Sequence, residues 1–76
     1  MNPDVVVDAR GLHCPLPVIR LAATARDRPP GALISISSTD PAAGPDISAW
    51  CRLRGHELVE QHPAIGEALV SLIRLR

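Results

Sequence analysis

The stretch that decides the fold runs Val5-Val6-Val7-Asp8-Ala9, then Arg10-Gly11-Leu12-His13-Cys14-Pro15-Leu16-Pro17-Val18, and closes with Ala32-Leu33-Ile34-Ser35-Ile36-Ser37-Ser38. The first five residues are short and β-branched and end in a polar, glycine-bearing turn, which predicts a strand. From Pro15 the period changes. Val18, Leu21, Ala22 and Ala25 recur at one helical face with Ile19 beside them, and Arg28-Pro29-Pro30-Gly31 stops the helix. Ala32–Ser38 then alternates, with Ile34 and Ile36 inward and Ser35 and Ser37 outward. A strand, a helix and a strand in that order form a right-handed crossover, which makes the two strands parallel.

Working outward, Thr39–Pro45 reads as a loop rich in turn residues, and Asp46 as the N-cap of a short helix to Arg54. Ile47, Trp50 and Cys51 lie on its apolar face, with Trp50 as core anchor, and Gly55 fits its end. His56–Gln61 and Ala68–Leu75 read as strands joined by a hairpin loop at His62–Gly66. The expected fold is therefore α/β, a two-layer βαβαββ sandwich. Its four-stranded mixed sheet carries two helices on one face and leaves the other face wet.

The 76 residues leave room for one domain, 1–76. A chain this short buries only about 60% of the surface its unfolded form exposes, so the core is thin. With 46% hydrophobic residues, a single Trp and no Phe or Tyr, that core rests on small aliphatics. Eight basic residues balance eight acidic ones, which argues against bulk electrostatic attraction to nucleic acid. All eight are Arg, so a Lys-based Schiff base or P-loop is excluded. The opening Met1-Asn2-Pro3-Asp4 does not read as a secretory signal, and no apolar run approaches the ~18 residues of a membrane span. The expected setting is the cytoplasm, where the two cysteines are free thiols.

The chemistry concentrates at Cys14. A cysteine at a strand-to-helix junction faces first-turn N–H groups without helical partners and the positive end of the helix dipole. That placement predicts a depressed pKa and a reactive thiolate. Pro15 at N1 and Pro17 at N3 would stiffen the turn, leaving chiefly the N–H groups of Leu16 and Val18 for the sulfur. The plain alternative is a cysteine packed at a helix end, and the local chemistry leaves both readings open. His13, when protonated, would raise the thiolate fraction of its neighbour. Arg10 reads as an exposed guanidinium near the site, either attracting an anionic partner or simply solvated. Leu12 and Leu16 read as an apolar rim or as ordinary packing. Cys51 reads as a buried structural thiol, with a resolving cysteine as the lesser alternative. No metal-ligand spacing occurs, and neither a metal nor a cofactor is expected.

The run Asp8-Ala9-Arg10-Gly11-Leu12-His13-Cys14-Pro15-Leu16-Pro17-Val18 resembles the Asp-x-x-Gly-x-x-Cys-Pro-x-Pro hallmark of the TusA/SirA-like sulfur carriers. Asp40-Pro41, Asp46-Ile47, Trp50-Cys51 and His56-Glu57-Leu58 extend the likeness along nearly the whole chain. His13 stands where Arg is common in that family, and Leu16 where an acidic residue is common. The resemblance implies a βαβαββ sandwich similar to the C-terminal domain of initiation factor three. It also implies a carrier role in which Cys14 accepts sulfane sulfur from a cysteine desulfurase or another persulfide donor. A downstream acceptor protein would receive it, in tRNA thiolation, molybdenum-cofactor synthesis or sulfur oxidation. The rival readings are a regulatory or protein-interaction module in which Cys14 is incidental and, on fold analogy alone, an RNA-binding module.

Overall fold

The computed structural model describes residues 2–76. Strand β1 (Val5–Ala9) leads to helix α1 (Leu16–Arg26), and strand β2 (Leu33–Ser38) to helix α2 (Ala43–Arg54). Strands β3 (Glu57–Pro63) and β4 (Leu69–Arg74) complete a sheet of order β1-β2-β4-β3. β1 and β2 are parallel and the other pairs antiparallel, so the sheet is mixed, as expected. Both helices lie over the face that carries Val7, Ala9, Ile34, Ile36 and Ile73, and add Leu21, Ile47 and Cys51 to one core. The predicted stripe of α1 holds: Leu21 is fully buried, and Val18 and Ala25 pack against the core. Ile19, expected beside that stripe, is exposed instead.

The opposite sheet face is less wet than the alternation of β2 implies. Ser35 is buried, and so are Leu33 and Leu72. β2 is a central strand, so Ser35 stands directly between Val6 of β1 and Leu72 of β4, whose larger side chains shield it. Only toward the edge does the face open, with Val6 67% exposed.

Helix α2 begins earlier than its sequence suggests. Asp40, not Asp46, organises its start. The Asp40 carboxylate accepts the N–H of Ala42 at 2.9 Å, and its carbonyl accepts that of Ala43, also at 2.9 Å. Gly44 and Pro45, read as loop residues, are the second and third residues of the helix. Proline is tolerated there because a first-turn N–H has no helical acceptor. Gly44 answers a close approach: a Cβ on it would stand 2.8 Å from Leu69 Cδ2. Gly55 ends the helix in the left-handed conformation, at φ 74°. Trp50 is not the core anchor. Ala43, Ile47 and Cys51 are the residues of α2 buried in the core, while Trp50 is half-buried at its margin against His56, ring centroids 4.9 Å apart.

β3 also outruns expectation, continuing through His62 and Pro63 into what reads as hairpin loop. It is an edge strand, where a proline without an N–H costs no ladder bond. The true connection is a short 3-10 turn, Ile65–Glu67, closed by the Ala64 N–H on the Ala68 carbonyl at 2.8 Å.

Candidate functional site

Because β1 and β2 run parallel, the connections leaving their carboxyl ends emerge at the same edge of the sheet. Those connections are Arg10–Pro15, which carries Cys14, and Thr39–Ala42, which opens α2. Two hydrogen bonds tie them. The Gly11 N–H donates to Thr39 Oγ1 at 2.9 Å, and the Cys14 N–H donates to Asp40 Oδ2 at 2.7 Å. Asp40 therefore serves both segments, and the N–H groups of Ala42 and Cys14, bonded to its carboxylate, hold its carboxyl below the usual carboxylate range. Gly11 takes φ 80°, a conformation glycine adopts without strain, and so turns the chain out of β1.

Cys14 is exposed. The Cys14–Pro15 peptide is cis. Pro15 is the N-cap of α1 rather than its first residue, so Pro17 falls at N2 and not N3. Pro17 is buried, and like Pro45 it occupies a first-turn position that needs no donor. The Leu16 N–H, one of the two groups expected to face the sulfur, donates instead to the His13 carbonyl at 2.8 Å.

What faces the sulfur is a carboxylate. The Cys14 thiol donates to Asp46 Oδ2 at 2.9 Å. This bond, partial desolvation and the charges of Asp46 and Asp40 push the Cys14 pKa up from its ordinary value. The expectation of a depressed pKa is thereby reversed. The start of α1 offers the sulfur a positive dipole end and few free N–H groups, but α2 delivers an acid to the same place. A negative neighbour opposes ionisation of a thiol, just as a positive one favours it.

The other predicted residues fall around this centre with different roles. His13 is 92% exposed and its Nδ1 lies 3.9 Å from Asp40 Oδ2; its acidic neighbour is that carboxylate. Arg10 is exposed and turned back on its own strand end. Its Nε and Nη2 each donate to Asp8 at 2.9 Å, which holds Asp8 down at about 2. Cys51 is a buried free thiol whose pKa burial pushes up. Leu12 packs partly against the core, while Leu16 is exposed with Ile19. These residues line a shallow hollow of about 280 Å³ with Arg20 and Ala23. On its other side Cys14 opens into an apolar groove of about 320 Å³, lined by Pro15, Val18, Asp46, Ala49, Trp50 and Leu53. Leu53, 85% exposed, stands at its edge.

Asp40 and Asp46 are thus site residues that motif reading places outside the site. The usable signal was topological: parallel β1 and β2 bring the starts of α1 and α2 together, so an acid in the first turn of α2 falls opposite a residue that precedes α1.

The chain matches the family model described as "Sulfurtransferase TusA" over residues 5–74. The chain belongs to that family. Among its TusA relatives, the sulfur carrier protein TusA of Pseudomonas paraeruginosa (strain DSM 24068 / PA7) is 46% identical over 66 residues, spanning 87% of this chain and 84% of the relative. That of Pseudomonas fluorescens (strain SBW25) is 44% identical over 69 residues, spanning 91% and 83%. In the solid state, the SirA-like protein from Desulfitobacterium hafniense shares the fold at a TM-score of 0.82 and 20% identity, covering 92% of this chain and 95% of its own. The TusA match extends from the first residue of β1 to the last of β4, so it takes in every element that builds the Cys14 edge.

Proposed function

We propose that this protein is a sulfur carrier that holds sulfane sulfur as a persulfide on Cys14 and relays it between two proteins. The observation that carries this reading is an exposed thiol beside an open apolar groove, at the helix-entry edge of a TusA-family domain. A relay atom must be reached by one protein and then by another. The Cys14 thiol, which precedes the first turn of α1, meets that need, and the buried Cys51 does not. Pro15 and Pro17 set the turn on which the sulfur sits, and Asp40 fixes its backbone N–H.

The donor is a cysteine desulfurase or another persulfide-bearing protein, and the acceptor a second protein that takes the sulfur onward. The setting is the cytoplasm; among the described residues no helix is long and apolar enough to cross a membrane. His13 and Arg10 sit on the rim where a partner arrives, and their role is contact rather than chemistry. The test is intact mass after incubation with a cysteine desulfurase and cysteine. The wild-type chain and Cys14→Ala are compared with Cys51→Ala. Gain of one sulfur by the wild type and Cys51→Ala, but not by Cys14→Ala, is expected; equal gain by Cys14→Ala refutes the assignment.

A further inference from the structure

A carrier's sulfur must react with its partners and resist everything else. The hydrogen bond from Cys14 Sγ to Asp46 Oδ2, at 2.9 Å, addresses the second need. Asp46 is half-buried on the first turn of α2, and Asp40 stands behind the loop backbone, 2.7 Å from the Cys14 N–H. The charged groups acting on the sulfur are these two acids, one from α2 and one from the loop before it. On the cysteine's own loop His13 lies against Asp40, and Arg10 is paired with Asp8. The unionised thiol is a weak nucleophile; the thiolate is the reactive form.

We propose that Asp46 locks Cys14 as a neutral thiol in the free carrier and selects partners that present a cationic group beside their sulfur. That group pairs with the Asp46 carboxylate and releases the thiol. Asp46 is a positioning and specificity-determining residue for the relay, and the inference rests on Cys14 being the carrying atom. In the loading step the Cys14 Sγ–H meets a donor persulfide, R–S–SH. A bond forms from Sγ to the donor's outer sulfur, and the donor's S–S bond breaks. The proton from Sγ ends on the departing donor sulfur. The products are Cys14–S–SH and R–SH, and no outside oxidant or reductant enters. The raised pKa of Cys14 has Asp46 as its largest cause, in keeping with the lock.

The same carboxylate sorts reagents by charge. A unit charge about 6 Å away across water differs between attraction and repulsion by roughly tenfold in rate. The folded protein is therefore treated at low salt with cystamine, bis(2-hydroxyethyl) disulfide and dithiodiglycolate, each rate divided by that of N-acetylcysteinamide. Cys14 is expected to prefer the cationic disulfide over the anionic one by roughly tenfold, a preference that fades as salt shortens the screening length. Asp46→Asn is expected to shrink that preference. It is also expected to move the midpoint of the iodoacetamide pH profile downward, so that reaction at neutral pH speeds up. A midpoint unmoved by Asp46→Asn overturns the lock. Equal normalised rates for the three disulfides in the wild type overturn the selection, and this arm needs no variant to fold. Failure of the carrier reading shows elsewhere, as sulfur loading that survives Cys14→Ala.

Discussion

Ile47 offers the sharpest test of how the core and the site are joined. It is fully buried in the core and directly follows Asp46 on α2. Ile47→Ala removes methyl and methylene groups from a cluster built of small aliphatics. Such truncations cost about 2–5 kcal/mol, against about 0.5–1.5 for Ile→Val. At roughly 0.05–0.15 kcal/mol per residue, a domain of 76 residues has about 4–11 kcal/mol of total stability. A loss near 3 kcal/mol therefore removes a large share of it, and lowers Tm by roughly 12–24 °C at the sensitivity of a domain this size. Urea unfolding followed by the fluorescence of Trp50, the one tryptophan, measures the change directly. The midpoint should fall in the order wild type, Ile47→Val, Ile47→Ala, with the slope against urea unchanged. A loss below about 1 kcal/mol for Ile47→Ala refutes the packing argument, because relaxation would then have filled the site.

Under native conditions a disulfide reagent should titrate one thiol, Cys14, and after unfolding two, since Cys51 is buried; two reactive thiols in the folded chain would contradict the placement of Cys51. Gly55→Ala should destabilise by about 1–2 kcal/mol, because Gly55 has φ 74° and a Cβ is penalised there, with urea midpoints as the measure. Asp8, held at about 2 against an ordinary 3.8, contributes stability that is present above 3.8 and lost as pH falls through about 2. NMR titration should return its pKa toward 3.8 in Arg10→Ala or in molar salt, and a value unmoved by both would deny the Arg10 pairing its role.

Much of the fold was legible because its signals are local. Val5–Ala9 is β-branched, Val18, Leu21 and Ala25 repeat at helical spacing, and Ile34 and Ile36 alternate with serines. Each pattern states its element without help from the rest of the chain. The misreadings came where a distant neighbour overrides the local signal. Gly44 and Pro45 look like a loop until Asp40 caps the segment and Leu69 crowds it. Ser35 looks solvent-facing until Val6 and Leu72 flank it. Trp50 looks like a core residue by size, yet Ile47 and Cys51 occupy the inward positions.

The candidate site divides the same way. Cys14 and its prolines are contiguous and announce themselves, so the position of the sulfur was readable. Its state was not, because the deciding group is 32 residues away in Asp46. A helix start has a predictable dipole, but the acid brought beside it is set by the parallel pairing of β1 with β2.

The bond across those 32 residues exists only once both helix starts have been assembled at the same sheet edge. An unfolded chain has no such neighbour for Cys14, whose thiol there behaves as any solvated cysteine. Folding thus quiets this sulfur instead of arming it. Oxidative damage during synthesis or refolding should fall on both thiols before the sheet closes, and the mature domain is the safest form in which to keep the sulfur of residue 14.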